Sequence, residues 1–281
     1  GQVTPAASMH YARYGHTATL LPDGRVLLAF GLTTDSDDYT LTCETYDFST
    51  QSFTLLPDPI IPGRRDHTAT RLLDGRVLLV GGAAIASVSL SDAVLFDPVS
   101  NTFASTSPID GERRDHTATL LNDGRVLVTG GSYYGDMLTT YRATSWLYQP
   151  DTGAWSATAT LPTARALHSA TLLPDGRVLV TGGTNGAIPL LNEELVFLPT
   201  GSWQSVDDLN APRYQHTAVL LPSGSVVVVG GFSFSSEFFT TASLERYDLK
   251  SGTVSATGTL HNEIIPGAST PLPGGKILVT G

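Results

Sequence analysis

A chain of 281 residues, 41% hydrophobic and 15% charged, can bury a substantial core and is not disordered. Its net charge of −10, with 16 basic residues spread along the chain, argues against nucleic-acid binding, which needs clustered Lys and Arg. No apolar run approaches the roughly 18 residues of a membrane helix, so no membrane span is expected. The lone Cys43 excludes an internal disulfide framework and a cysteine-based zinc site.

The opening GQVTPAASM has neither a basic nor an apolar signal region, so no signal peptide is read in it. A mature secreted chain would look the same, and an extracellular or cell-surface location is the expectation. Lys250 and Lys276 are the only lysines, which fits a GC-rich, bacterial source. Residues 2–7 align with the last strand of the units that follow. RYGHTATLLPDGRVLLAFG (13–31) then reads as strand, turn and strand. His-Thr-Ala-Thr-Leu-Leu is the first strand, and Pro-Asp-Gly is a tight turn whose glycine supplies positive φ. The Arg-Val-Leu stretch after it is a second strand, nearly all apolar because it is covered on both faces. The loop LTTDSDDYT follows, and then an aromatic on either side of a turn, Tyr46 and Phe53, marks a third and a fourth, outermost strand.

The same order returns four times. RRDHTATRLLDGRVLLVGG (64–82) is followed by the loop AAIASVSLS and by Phe96 and Phe103. RRDHTATLLNDGRVLVTGG (113–131) is followed by SYYGDMLTTYR and by Tyr148 and Trp155. RALHSATLLPDGRVLVTGG (165–183) is followed by TNGAIPLLN and by Phe197 and Trp203. RYQHTAVLLPSGSVVVVGG (213–231) is followed by FSFSSEFFT and by Tyr247, with Val254 in the second aromatic place. IPGASTPLPGGKILVTG (265–281) is a sixth, degraded copy. The turn glycines Gly24, Gly75, Gly124, Gly176, Gly224 and Gly275 lie 51, 49, 52, 48 and 51 residues apart.

The period near 50, the double glycine and the aromatic after a turn resemble the kelch family over nearly the whole chain. The resemblance implies an all-β, kelch-type β-propeller with one blade of four antiparallel strands per repeat. A single blade cannot bury both faces, so the units are expected to close into a ring. Six blades are expected in one domain spanning 1–281, with units 13–63, 64–112, 113–164, 165–212 and 213–264. Residues 265–281 and 1–12 would form the closing blade, the N-terminal strand completing the ring. A seven-bladed ring belonging to a longer chain is the alternative.

Alternating strands put the short first-to-second and third-to-fourth turns at one end of each blade. The long second-to-third loops, different in every repeat, share the other end with the connections between blades. Variable loops on a rigid scaffold are where binding concentrates. The candidates there are Tyr39, Tyr133, Tyr134, Met137, Tyr141, Arg142, Phe232, Phe234, Phe238 and Phe239. Aromatics and Met beside Arg compose a protein or sugar contact surface; the competing reading is that they pack onto neighbouring blades. Asp35 and Asp37 have a Ca²⁺-like spacing without the glycine and later glutamate of an EF-hand, so no metal is expected.

Arg13, Arg64, Arg113, Arg165 and Arg213 each stand three residues before a histidine: His16, His67, His116, His168 and His216. A feature present once per blade at the channel mouth suits a structural task, the imidazole bonding the backbone of a neighbouring blade. The alternatives are a metal held by an imidazole ring, or an arginine ring receiving carboxylates. The repeat is similar to that of galactose oxidase and its relatives. Their copper-radical site needs a Cys crosslinked to a Tyr, and Cys43 has no such partner in view, so no cofactor is expected. Nucleophile elbow, P-loop, HExxH and dinucleotide fingerprints are missing. The expected function is that of a non-catalytic, monomeric scaffold binding a protein or carbohydrate ligand through the variable loops. The alternative is an enzyme of oxidase, lyase or glycosidase type with a polar site at the channel mouth.

Overall fold

The computed structural model describes residues 7–33, 42–59, 61–85, 88–135, 138–186, 195–234 and 238–281. All but the last residue of the expected N-terminal strand (2–7) lies outside these, as do Asp35, Asp37, Tyr39 and Met137. The described residues form strands and turns, with no α-helix among them.

The first repeat contains β1 (Arg13–Tyr14), β2 (Thr17–Leu20), β3 (Val26–Ala29), β4 (Leu32–Thr33), β5 (Cys43–Asp47) and β6 (Ser52–Leu55). The second has β7 (Thr68–Arg71), β8 (Val77–Val80), β9 (Ala93–Asp97) and β10 (Thr102–Thr106). The third has β11 (Thr117–Leu120), β12 (Val126–Thr129), β13 (Ser132–Gly135), β14 (Leu138–Tyr141), β15 (Ser145–Gln149) and β16 (Ala154–Thr158). The fourth has β17 (Ser169–Leu172), β18 (Val178–Thr181), β19 (Leu195–Phe197) and β20 (Trp203–Ser205). The fifth has β21 (Thr217–Leu220), β22 (Val226–Val229), β23 (Phe232–Phe234), β24 (Phe238–Thr240), β25 (Ser243–Asp248) and β26 (Thr253–Thr259). Last come β27 (Ala268–Leu272) and β28 (Lys276–Thr280).

Each repeat builds a four-stranded sheet: β2-β3-β5-β6, β7-β8-β9-β10, β11-β12-β15-β16, β17-β18-β19-β20 and β21-β22-β25-β26. The strands after the Asp-Gly turns are the cores of these sheets. β8, β12, β18 and β22 are buried at every position, which explains why they are all Val and Leu but for the closing Thr129 and Thr181. The turn glycines Gly24, Gly75, Gly124, Gly176 and Gly224 hold φ between 85° and 91°, as a tight hairpin requires. The paired aromatics are direct cross-strand partners. Tyr46 opposes Phe53, Phe96 opposes Phe103 and Phe197 opposes Trp203, with ring centroids 4.8, 4.9 and 5.0 Å apart.

The loops of the third and fifth repeats differ from the expectation of irregular chain. β13 and β14 form a two-stranded sheet, and so do β23 and β24. Aromatic and hydroxyl residues alternate in the opening FSFS of FSFSSEFFT, and its aromatics favour extended, paired backbone over open loop.

The chain divides into two compact units. One consists of Gly1–Arg114, Tyr133–Leu138 and Tyr148–Trp155, the other of Asp115–Ser132, Thr139–Leu147 and Ser156–Gly281. Within the first, Leu21, Leu27, Phe30, Cys43, Val77, Leu79 and Phe96 build one apolar core. Within the second, Leu173, Leu179, Val196, Val226 and Tyr247 build another.

Candidate functional site

The recurring arginines are all buried, and they bond to the chain's own oxygens. Arg213 shows the full pattern. Its Nη1 donates to the carbonyls of Gly230 and Ser243 (both 3.1 Å). Its Nη2 donates to Ser243 Oγ and Glu245 Oε1 (both 2.7 Å). Glu245 is buried too, and its Oε2 accepts from the backbone and side-chain nitrogens of Asn210 (2.6 and 2.7 Å). Arg13 repeats this with Phe30 O (3.0 Å), Thr42 O (2.7 Å) and Glu44 Oε1 (2.5 Å). There His10 takes the place of Asn210: its backbone N–H donates to Glu44 Oε2 (3.0 Å), and its Nδ1 lies 2.8 Å from the same oxygen. Burial pulls the Glu44 carboxyl upward, but the His10 and Arg13 bonds outweigh it and leave Glu44 below the ordinary range. Arg64 grips both oxygens of Asp92 (2.9 and 2.5 Å) and the carbonyl of Gly81 (3.0 Å). Arg165 donates to Gly182 O (3.0 Å), and Arg113 to Asp110 O (2.8 Å). A guanidinium enclosed this way orders backbone ends and does not face an external carboxylate.

His67, His116, His168 and His216 are buried, and His16 is half-buried. For three of them a side-chain partner is a hydroxyl of the preceding repeat, and His216 also interacts with the Thr181 backbone there, the kind of group expected. His67 Nε2 is 2.9 Å from Thr17 Oγ1, and His168 Nε2 is 2.9 Å from Thr117 Oγ1. His216 Nε2 lies 3.0 Å from Ser169 Oγ and 2.9 Å from Thr181 Oγ1. Burial, then the neighbouring arginine charge, pushes His67, His168 and His216 down to about 3, so these rings are neutral.

The same packing explains the double glycine. A Cβ on Gly182 would lie 2.4 Å from Arg213 O and 2.8 Å from His216 Cε1; on Gly130 it would meet Arg165 O at 2.5 Å. In the first repeat Phe30 holds that place at φ 54°. Its ring meets His67 edge-on at 5.6 Å and lies 5.4 Å below the Arg64 guanidinium carbon. Among the described residues no cluster of three His, Cys, Asp or Glu could hold a metal ion. Burial pushes the Cys43 thiol up to about 12, which leaves it protonated and unreactive.

The variable ends look different. In the fifth repeat the Phe232 ring stacks on Tyr214 (5.3 Å between centroids, 21° between planes), and their backbones exchange N–H···O bonds of 3.0 and 2.9 Å. Ser233 Oγ donates to Pro212 O (2.6 Å), and Thr240 Oγ1 to Glu263 Oε2 (2.7 Å). Phe234 faces Phe238 in register, and Ser233 faces Phe239, whose side chain is 42% exposed. The hairpin is thus pinned at its base and offers an aromatic ring to solvent. In the third repeat Tyr134 is equally exposed, and its N–H donates to Ser89 Oγ (3.2 Å). Tyr133, Tyr141 and Arg142 are half-buried.

Sequence reasoning missed Tyr214, which braces the hairpin, and the buried acids Glu44 and Glu245. The acids had a signal, since Glu44-Thr45-Tyr46 and Glu245-Arg246-Tyr247 put a carboxylate two residues before the third-strand tyrosine in both repeats. The family model described as the KLHDC2/KLHL20/DRC7 Kelch-repeats domain matches residues 2–183. A comparison with curated proteins gives no match.

Proposed function

Because the chain belongs to the kelch-repeat family, whose domains generally mediate protein interactions, we propose that it is a non-catalytic scaffold that binds a partner protein. The contact would be made by the variable second-to-third segments, led by the β23–β24 hairpin. The observation that carries this reading is Phe239, an exposed aromatic on a hairpin fixed by Tyr214–Phe232 stacking and by the Ser233 and Thr240 bonds. A rigid, exposed aromatic offers contact area at little entropic cost, the property that marks interface anchors. The buried arginines and histidines contribute by holding the repeats that carry these segments.

The same proposal takes 1–281 as one six-bladed ring and the chain as a monomer, with 265–281 and 1–12 sharing the closing blade. The two-stranded β27–β28 sheet leaves Leu272 and Leu278 exposed, which supports further strands packing beside it.

Selecting peptides from a phage-displayed random library on the full chain, and measuring the winners by fluorescence polarisation, tests the site. Phe239→Asp is expected to weaken them by roughly tenfold or more. Peptides that bind the variant as tightly as the parent would move the site elsewhere. A glycan array on the same pair of proteins separates the carbohydrate reading: a Phe239-dependent glycan signal without peptide binding would replace protein by sugar.

A further inference from the structure

The other end of the sheets carries the Asp-Gly-Arg turns, which are built alike but end differently. Asp23 accepts from the Arg25 backbone N–H (3.0 Å) and Nε (2.8 Å), and Asp123 does the same for Arg125 (3.0 and 2.8 Å). Arg25 then reaches across to the outer turn of the second repeat. Its Nη1 donates to Asn101 Oδ1 (3.0 Å) and its Nη2 to Pro98 O (2.8 Å). Both arginines keep Nη2 against their own aspartate (2.7 Å for Arg25, 2.6 Å for Arg125). Among the described residues, however, Arg125 makes no hydrogen bond across to the next outer turn, and its Nη1 has no hydrogen-bond partner.

The cause lies in one residue. The outer turn of the second repeat has Asn101 at φ 55°, two residues before its aromatic Phe103. The fourth repeat has Gly201 at φ 86° two residues before Trp203, so the position that holds the Asn101 carboxamide in the second repeat has no side chain here. The hydroxyls of the flanking Thr200 and Ser202 bond each other (3.2 Å). A pocket of about 490 Å³ lies between that turn and Arg125, floored by Leu121, Leu147 and Phe197. The hydroxyl of Ser156 and the amide of Asn122 also line it, and both are exposed. The depression beside Arg25 is nearly as large, about 460 Å³, so volume does not distinguish the two places. What distinguishes the Arg125 pocket is its floor of Leu121, Leu147 and Phe197, which the depression beside Arg25 lacks; an open guanidinium donor over such a floor is the combination of a small-ligand site. Arg125 and Arg177 balance the charges of Asp123 and Asp175 at its edge, so the pocket favours a neutral ligand over an anion.

We propose that this pocket binds a carboxamide-bearing peptide turn, its amide oxygen accepting from Arg125 Nη1 as Asn101 accepts from Arg25. The molecule thus carries its own template for the ligand, the segment Asp97-Pro98-Val99-Ser100-Asn101-Thr102. This site lies at the opposite end of the sheets from Phe239 and does not depend on the hairpin reading.

The probe is that hexapeptide, acetylated and amidated, titrated into the ¹⁵N-labelled full chain and followed by NMR. Saturable shifts are expected at Gly176 and Gly201. Arg125→Gln is expected to weaken binding by roughly tenfold, and so is replacing the peptide's Asn by Leu. Gly201→Asn should abolish it by supplying the acceptor within the chain. There is room for that side chain, because the nearest atom to a Cβ at Gly201 is Thr158 Oγ1 at 3.4 Å. The left-handed φ there is one that Asn tolerates. A thermal melt of each variant reports that the fold is kept. Absence of saturable shifts at about 10 mM peptide, a loose-binding limit near 3 kcal/mol, overturns the proposal. So does equal affinity in folded Arg125→Gln and Gly201→Asn.

Discussion

Two stretches of the fifth repeat meet at Gly231 and obey different rules. Before it, Arg213, His216 and Gly230 are fixed by contacts to Glu245, Ser169, Thr181 and Ile264 that leave almost no room for another atom. After it, Phe232–Thr240 turns out into a hairpin whose outer ring, Phe239, touches solvent. The first stretch recurs because it joins one repeat to the next, and any change must suit both. The second hangs from that joint by Tyr214 and is free to differ in every repeat. Stability is concentrated on one side of the glycine pair and the proposed recognition surface lies on the other, and each expectation below strains that division.

The largest effect is set by the neutral histidines. An unfolded histidine takes up a proton near pH 6.5, whereas His67, His168 and His216 hold off protonation to about 3. Between those values the unfolded chain binds more protons, so their contribution is complete above about pH 6.5 and falls as the pH drops. The loss is about 1.4 kcal/mol per pH unit for each ring. Urea unfolding at pH 7, 6 and 5 should show this fall, and His216→Gln should reduce the proton uptake by about one. A slope indifferent to His216 would mean that the ring titrates freely and does not belong to the joint.

The buried ion pairs come next. Arg213→Ala leaves Glu245 enclosed without its cation, and a loss of about 3–5 kcal/mol is expected in chemical denaturation. Replacing both partners, Arg213→Met with Glu245→Leu, should cost less than the single change, because no charge is then stranded. Equal costs would show that the hydrogen bonds to Gly230 and Ser243 carry the joint and that the carboxylate is incidental.

Much of this frame was readable before any coordinates. The Asp-Gly turns, the apolar second strands and the aromatic pairs all follow from local rules, and repetition turned each local rule into a strong one. What did not show was anything decided by two repeats together. The hydroxyls that receive the histidines lie in the preceding unit, at Thr17, Thr117 and Ser169, about fifty residues away. The hairpins were missed for the opposite reason: a stretch unlike its counterparts has no repeat to calibrate it, and FSFSSEFFT reads as loop until its aromatics are weighed. Phe239 could be picked as a candidate from composition, yet its exposure depends on the register that sets it opposite Ser233.

Glycine substitutions measure how sharply the joint differs from its surroundings. Gly182→Ala brings a methyl to 2.4 Å from Arg213 O at a φ of 57°, so backbone must move. A loss of about 2 kcal/mol or more is expected. Gly224→Ala meets nothing within 4 Å and pays only for its φ of 86°. Its cost should stay near 1 kcal/mol. Differential scanning fluorimetry of the pair checks this, and similar melting points would mean that the first glycine of the pair is kept for φ alone.

The smallest stability effect belongs to the residue with the largest expected effect on binding. Phe239 is 42% exposed, and the bonds that seat its hairpin come from Tyr214, Ser233 and Thr240. Phe239→Asp should therefore shift the unfolding free energy by no more than about 0.5 kcal/mol while it weakens selected peptides. Tyr214→Ala removes the stacking partner of Phe232 without touching the exposed ring, so it should weaken the same peptides by loosening the hairpin. If Phe239→Asp destabilises the fold as Gly182→Ala does, the hairpin is part of the core. The boundary drawn at Gly231 would then have to move outward along β23 and β24.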